Sequence, residues 1–130
     1  MKFYFLDAGG AGLAYFFVGL LIGFMILCIL AEAGVMIAMK YNRSFKKTFL
    51  DALLVNIASL VIGFILIEYA GSFFNSYEAP VLLILYAVTV LVEFGLLYLL
   101  NKKHPLRSTF IVSLVMNIPT YIILYLIGNN

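Results

Sequence analysis

The fold is decided by two stretches that repeat each other: AEAGVMIAMKYNRSFKKTFLDALLVNIASLVIGFIL at residues 31–66 and VEFGLLYLLNKKHPLRSTFIVSLVMNIPTYIILYLI at residues 92–127. The offset between them is 61 residues. Leucine and isoleucine matches carry little information in such apolar sequence. The informative matches are polar or small, and they pair Glu32 with Glu93, Gly34 with Gly95, Thr48 with Thr109, Asn56 with Asn117, and Ser59 with Thr120. The shared spacing of these scarce residues predicts an internal duplication.

Composition indicates a membrane protein. Of the 130 residues, 65% are hydrophobic and only 11% are charged. The apolar runs are longer than the core helices of a soluble domain need, and they lack the polar faces that a soluble fold would expose. The sequence therefore predicts a polytopic protein of the lipid bilayer.

Four apolar runs are each long enough to cross a bilayer, which takes about 20 residues. Pro80 opens the third run and aligns with Gly19, so the repeated unit begins near Gly19. The predicted organisation is an interfacial N-terminal extension at residues 1–18, a first helical hairpin at 19–70, an external loop at 71–79 and a second hairpin at 80–130. The last run, from Leu106 to Ile127, is expected to be one helix. The predicted fold class is an all-α membrane protein, a four-transmembrane-helix bundle of two tandem-repeated hairpins.

Basic residues mark the connection inside each hairpin. Seven of the eight Lys and Arg residues lie there: Lys40, Arg43, Lys46, Lys47, Lys102, Lys103 and Arg107. The positive-inside rule places both hairpin loops in the cytoplasm, among anionic headgroups of the plasma (inner) membrane, and both termini outside. Two hairpins of the same orientation are related by a pseudo-twofold axis along the membrane normal. A nucleic-acid partner is not expected, because it would need a larger soluble basic surface.

The candidate site is a set of polar residues inside the apolar runs. Glu32 and Asn56 are equidistant in sequence from the middle of the first connection, and Glu93 and Asn117 are equidistant from the middle of the second. In an antiparallel hairpin, each Glu therefore lies at the depth of its Asn and is able to contact it. Three residues beyond each Asn come Ser59 and Thr120, on nearly the same helix face and one turn nearer the outside.

A carboxylate inside a membrane is costly, by about 2.5–3.5 kcal/mol on insertion scales, so it should face the bundle interior, find partners or be protonated. Two interpretations follow. In the functional one, Glu32 and Glu93 are proton or cation sites near the pseudo-twofold axis. In the structural one, each Glu hydrogen-bonds its Asn across the hairpin and fixes the helix register.

Small residues of the first helix form a second candidate set, for helix packing: Gly19, Gly23, Ala31, Gly34 and Ala38. Small residues at such spacing let helices approach closely. The neighbour is either another helix of this chain or a partner protein. The single cysteine, Cys28, is expected to be a small packing residue.

Catalytic and cofactor motifs are missing from the sequence. It contains neither G-x-S-x-G nor H-E-x-x-H, and it lacks a glycine-rich phosphate loop. The one histidine, His104, falls in a basic loop, and the Glu-x-x-His companions of di-metal bundles are absent. The chain is therefore not expected to be an enzyme, and neither a metal nor another cofactor is expected.

Two functions remain open. The first, which the sequence favours, is a non-catalytic accessory or structural subunit that packs against other membrane protein subunits. The almost wholly apolar third helix and the small-residue set of the first helix fit this interpretation. The second is a small ion- or proton-coupled transporter or channel that self-associates and uses the intramembrane Glu/Asn pairs.

Overall fold

A computed structural model of the protein describes residues 8–70 and 79–128. These residues form five helical segments: α1 Ala8–Ala38, α2 Phe45–Ala70, α3 Ala79–Leu100, α4 Leu106–Met116 and α5 Ile118–Gly128. Four stretches are long and apolar enough to cross a membrane: Gly12–Ala38, Phe45–Leu66, Ala79–Leu100 and Leu106–Ile127. The expected all-α, multi-pass architecture with four spanning stretches is confirmed. The expected external loop lies outside the described residues, except for Ala79, which begins α3.

The first helix includes the described part of the proposed N-terminal extension, and residues 1–7 lie outside the described residues. Residues 8–18 are the first turns of α1 and are not separated from Gly19 by a break. Side chains from Leu13 to Ile22 are all exposed, so this part of α1 extends along or beyond the bundle without packing into it. A boundary at residue 18 is therefore not visible in the secondary structure.

The last spanning stretch, Leu106–Ile127, is present as expected, and its helix is interrupted at a single residue. α4 ends at Met116, Asn117 is its C-cap and α5 begins at Ile118. The cause is Pro119, which lacks an N–H donor and whose ring clashes with the preceding turn. Free carbonyls inside a membrane need new donors. The Tyr86 hydroxyl supplies one, donating to the Leu114 carbonyl at 2.6 Å.

The helices form a closed ring. α1 contacts α2, α2 contacts α3, α3 contacts α4 and α5, and these two return to α1. Among the described residues, α1 makes no close backbone approach to α3, nor α2 to α4 or α5. The diagonal pairs therefore face each other across the axis of the bundle, where polar side chains can be enclosed.

Packing is uneven along the bundle axis. We call the end that carries residues 39–44 and 101–105 the loop end, and the other end the terminal end. The buried apolar core comprises Ile29, Ala33, Met36, Tyr41, Ala52, Val55, Leu97, Val112 and Met116. All of these except Ile29 lie on the loop side of the level of Glu32, Asn56, Glu93 and Asn117. The bundle is therefore close-packed in its loop half.

Candidate functional site

Each glutamate is hydrogen-bonded to the asparagine of its own hairpin. The Asn56 amide donates to the Glu32 carboxyl, and the Asn117 amide donates to the Glu93 carboxyl at 2.5 Å. Both contacts were expected from equal depth. Each amide also donates, at 2.9 Å, to the carbonyl four residues earlier in its helix, that of Ala52 or Ser113. The two amides are therefore held in the same way, each with both amide hydrogens directed to acceptors.

The two hairpins are joined through these carboxyls. Ser59 of α2 donates from its hydroxyl to Glu93 of α3 at 2.8 Å. Thr120, at the corresponding position of the second hairpin, lies near the Glu32 carboxyl and the Cys28 thiol. Its hydroxyl oxygen is buried and makes no hydrogen bond within the described parts of the chain. The cross-hairpin bond was not expected from the sequence, which gave only the depth of Ser59 and Thr120.

Both carboxyls are inside the bundle. Glu32 and Glu93 are each only 1% exposed. They stand on diagonally opposite helices, and each lies between side chains of two neighbouring helices. Their burial satisfies the physical requirement that an ionisable group at this depth should avoid lipid.

A cavity of about 380 Å³ lies on the terminal side of the carboxyls. All four spanning stretches contribute to it. Its polar lining consists of Glu32, Asn56, Ser59, Thr89, Glu93, Asn117, Thr120 and Tyr121, and its other walls are apolar except for Cys28. We call the level of the two Glu/Asn pairs the cavity floor. On the loop side of the floor the buried core fills the bundle, so the cavity ends there.

On the terminal side of the floor, tyrosine side chains join the two helices of the second hairpin. Tyr121 of α5 shares a hydrogen bond of 2.7 Å with Thr89 of α3. The rings of Tyr86 and Tyr121 meet edge to face, with centroids 5.3 Å apart. These contacts hold α3 and α5 together in the terminal half.

The first hairpin has no such closure at the same positions. At an offset of 61 residues, Tyr86, Thr89 and Tyr121 correspond to Met25, Cys28 and Leu60. These three residues line the cavity. Neither Met25 nor Leu60 has a hydroxyl that could form a hydrogen bond across the hairpin. The contact that joins α3 to α5 through Tyr121 therefore has no counterpart between α1 and α2.

Some cavity-lining side chains of the first hairpin also lie at the bundle surface. Three of them are exposed: Leu21 at 50%, Leu60 at 37% and Phe64 at 60%. They belong to α1 and α2 and lie in the terminal half. We call the exposed rim that these three side chains form the side opening. The corresponding positions of the second hairpin, 82, 121 and 125, line a separate surface groove that includes neither glutamate.

Asp51 joins three segments at the loop end. Its carboxylate accepts hydrogen bonds from Asn42 at 2.9 Å, from Asn101 at 2.8 Å and from Lys47 at 3.0 Å. Lys47 and Asp51 form an ion pair one helical turn apart. Asp51 is only 3% exposed, and its carboxylate links the two hairpin connections. The role of Asn101 could not be predicted, because nothing in the sequence indicates that its side chain contacts Asp51.

Tyr41 forms a second link at the loop end. Its ring stacks on His104, with centroids 4.3 Å apart, and its hydroxyl shares a 3.0 Å hydrogen bond with Thr109. Burial raises the pKa of the Tyr41 phenol above its ordinary value, and the charge of Asp51 acts in the same direction. The hydrogen bond with Thr109 acts in the opposite direction but does not reverse the shift. Both loops therefore lie at one end of the bundle and contact each other.

The glycines of the helix-packing set do not mediate contacts inside this chain. At Gly19, Gly23 and Gly34, a Cβ atom would meet no heavy atom within 4 Å among the described residues, apart from the helix's own neighbouring turns. Ala38 is exposed and Ala31 is half-buried. Among the described residues, no neighbouring helix therefore packs against the three glycines, and of the two expected neighbours a partner protein stays open. The small residue of α1 that enters the core is Ala33, which belongs to the buried cluster.

The basic residues remain at the surface. All seven that were assigned to headgroup contact have exposed side chains near the loop end: Lys40, Arg43, Lys46, Lys47, Lys102, Lys103 and Arg107. None of them lines the cavity. Across residues 8–70 and 79–128, no group of three or more His, Cys, Asp and Glu side chains is arranged to hold a metal ion. The charged groups of the cavity are therefore acidic.

Comparison with protein families, curated proteins and solved structures found no match to this chain.

Proposed function

We propose that the protein is a small ion- or proton-coupled membrane carrier in which Glu32 and Glu93 are the coupling residues. The observation that carries this proposal is the cavity itself. The cavity floor presents two buried carboxyls, and the cavity lies in the terminal half of the bundle, while the main buried cluster lies in the loop half. A purely structural pair of hydrogen-bonded staples would not need a cavity beside it.

The chemistry of the floor suits exchange of a proton for a cation. Two carboxylates that share one low-dielectric site repel each other, and both are costly without a proton or a cation. Asn56, Asn117 and Ser59 donate hydrogen bonds but bring no positive charge. A cation that binds at the floor therefore displaces a proton, and a returning proton displaces the cation. This mutual exclusion is the minimum requirement for coupled transport.

The internal repeat supports a site built on a pseudo-twofold axis along the membrane normal. Glu32 meets Asn56 of its own hairpin and approaches Thr120 of the other, and Glu93 meets Asn117 and Ser59 in the corresponding way. Duplication followed by divergence at the tyrosine positions accounts for both the similarity of the floor and the difference above it. In this proposal the hairpins descend from one ancestral helical pair.

For orientation, we infer that the loop end faces the cytoplasm of a plasma (inner) membrane and that both termini are external. The support is the exposed basic cluster at the loop end. The cavity then opens on the external side of the floor. Release to the cytoplasm requires the loop half to separate, and the links of Asp51 and Tyr41 hold it closed.

A second candidate is the accessory subunit that packs against a larger membrane complex. The observation that favours it is the face of α1 with Gly19, Gly23 and Gly34, which has open space beside it. Mild-detergent purification of the native protein followed by mass spectrometry separates the candidates. Stoichiometric partners favour the subunit, and a lone or self-associated protein favours the carrier.

Flux in liposomes tests the carrier directly. Purified protein is reconstituted with a trapped pH dye, and a pH gradient and then a Na⁺ or K⁺ gradient are imposed. We expect a flux above that of protein-free liposomes, abolished by Glu32→Gln combined with Glu93→Gln. Glu68→Gln is the matched control, because Glu68 is exposed and does not line the cavity. A flux that is absent in the unchanged protein, or retained in the double variant, contradicts the proposal.

A further inference from the structure

We propose that the cavity takes a single-chain amphiphilic amine, with its ammonium group at the Glu32/Glu93 floor and its alkyl chain along the apolar walls. The amine enters from the bilayer through the side opening between α1 and α2. This inference rests on the proposed function for the role of the floor, and it adds the ligand class and the route of entry.

Charge at the floor selects a cation. Both carboxyls line the cavity, and no Lys, Arg or His of the described ranges does. An anionic headgroup would find no positive charge at the floor, whereas an ammonium can take the place of a carboxyl proton. A primary ammonium has three N–H donors, and carboxylates accept such bonds strongly. The Thr120 hydroxyl oxygen is buried at the cavity and makes no hydrogen bond within residues 8–70 and 79–128, so a donor from a ligand would satisfy it.

The walls select an alkyl chain. Away from the floor the cavity is lined by Leu21, Phe24, Leu66, Leu85, Val88 and Leu124, among other apolar side chains. A volume of about 380 Å³ lies at the small end of the range for ligand pockets. A hydrated inorganic ion would leave most of this apolar surface unmatched. An amphiphile matches both the acidic floor and the apolar walls.

The side opening indicates entry from the lipid. Leu21, Leu60 and Phe64 are exposed on the spanning part of α1 and α2, where the surroundings are hydrocarbon. A water-soluble ligand would not be delivered there, whereas an amphiphile dissolved in the bilayer would. The second hairpin offers no equivalent entry, because Tyr121 is hydrogen-bonded to Thr89 across it.

Binding is measured with a tryptophan reporter, which is selective because the chain contains no native Trp. Phe24→Trp places the reporter on the cavity wall, and Ile26→Trp, exposed on the other side of α1, is the lipid-facing control. Both are placed in nanodiscs and titrated with three probes that differ only in headgroup: 11-bromoundecylamine, 11-bromoundecanol and 11-bromoundecanoic acid. Bromine quenches tryptophan fluorescence on contact.

We expect saturable quenching of the Phe24→Trp reporter by the amine, at concentrations about tenfold or more below those needed for the alcohol or the acid, since the amine gains charge-assisted bonds. The Ile26→Trp reporter should show only the unsaturable quenching of a lipid-dissolved probe. Glu32→Gln with Glu93→Gln should remove the preference for the amine. Equal quenching by all three probes, or equal quenching of both reporters, overturns the ligand assignment.

A closing variant tests the route. Cys28→Thr with Leu60→Tyr gives the first hairpin the pair of groups that closes the second, and it leaves the floor unchanged. We expect the amine to bind the closed protein with an on-rate reduced about tenfold or more. Cys28→Ser with Leu60→Phe adds similar bulk but lacks the tyrosine hydroxyl, and it should remain open. An unchanged on-rate in the closing variant contradicts entry at the side opening.

The two proposals fail in different experiments. Amine binding that depends on the floor, without any flux in liposomes, rejects the coupled carrier and retains the ligand class. A floor-dependent flux without selective quenching by the amine retains the carrier and rejects the ligand class.

Discussion

Ser59 of the first hairpin donates a hydrogen bond of 2.8 Å to Glu93 of the second. Glu93 therefore has a partner in each hairpin, because Asn117 donates to its other carboxyl oxygen. This arrangement couples the protonation of one side chain to the contact between the two halves of the bundle. A change at Glu93 reaches both hairpins, which is a property that a carrier needs and a surface staple does not.

Removing the Ser59 hydroxyl should loosen the contact between hairpins. Intramembrane hydrogen bonds average about 0.6 kcal/mol and reach about 1.7 kcal/mol, so we expect Ser59→Ala to lower the free energy of unfolding within that range. Ser108→Ala is the matched control, because it makes the same change at an exposed serine of α4. Steric-trapping measurements in bicelles give both values. A cost for Ser59→Ala no larger than the cost for Ser108→Ala would show that this bond contributes nothing.

Asn117 should matter more than Asn56, although the two make corresponding contacts. At Asn117 the helix is broken, and its backbone N–H is directed to Val115 rather than to Ser113. The Ser113 carbonyl therefore depends on the Asn117 side chain. We expect Asn117→Leu to cost about 1–3 kcal/mol, the range for a buried polar group without a partner, and Asn56→Leu to cost less. Urea or SDS unfolding of the two variants side by side decides the order, and a larger loss for Asn56→Leu would contradict it.

The Asp51 carboxylate should stabilise the loop end far more than its salt bridge suggests. Asp51→Ala leaves the amides of Asn42 and Asn101 without their acceptor, and we expect a loss of about 1–3 kcal/mol. Lys47→Ala removes only a partner whose side chain is 46% exposed, so its cost should stay below about 1 kcal/mol. Thermal unfolding in detergent compares them. Similar losses of stability for both variants would show that Asp51 contributes only through its ion pair with Lys47.

Stability should fall in alkaline solution because of Tyr41. Its pKa is raised in the folded protein by burial, so the unfolded chain loses the phenol proton first, near pH 10. The contribution of Tyr41 is therefore fully present below about pH 10 and is lost as the pH rises through the folded-state pKa. The groups that face the Tyr41 phenol are Thr109, His104 and Asp51.

Tyr41→Phe isolates this effect from the other tyrosines. We expect the variant to be slightly less stable than the unchanged protein near pH 8, where it lacks the bond to Thr109, and to lose less stability between about pH 10 and 11. Unfolding free energies are measured at each pH. Parallel curves for the two proteins would mean that Tyr41 ionises equally in the folded and unfolded states.

The lengths of the apolar runs were sufficient to predict the four spanning stretches. Equal distances in sequence from the loop centre were sufficient to predict the contact of each Glu with its Asn. Helix length and the position of the basic connections set the depth of Glu32 and Asn56, and depth alone brings them together in an antiparallel hairpin. The break at Asn117 was also readable, because Pro119 follows it by two residues. Giving Pro119 its usual weight would have predicted an interruption of the helix near this position.

The remaining features depend on how one hairpin is rotated against the other, which no local pattern encodes. The bond from Ser59 to Glu93 and the link from Asn101 to Asp51 both cross between hairpins. The cavity depends on differences between the two hairpins, such as Leu60 at the position that corresponds to Tyr121. Gly19 and Gly23 left their neighbour undecided for a related reason, since small residues permit a close helix contact without specifying whether it lies within the same chain.

Proton release on amine binding tests the central claim, that a proton and a cation exclude each other at Glu32 and Glu93. Protein in nanodiscs is titrated with 11-bromoundecylamine at neutral pH, by calorimetry in two buffers of different ionisation enthalpy. Because the amine is already protonated, any proton released comes from the protein. We predict that each bound ammonium releases a proton, and that Glu32→Gln with Glu93→Gln abolishes the release while Glu68→Gln preserves it. Amine binding without proton release, or a release that the double variant retains, contradicts the account.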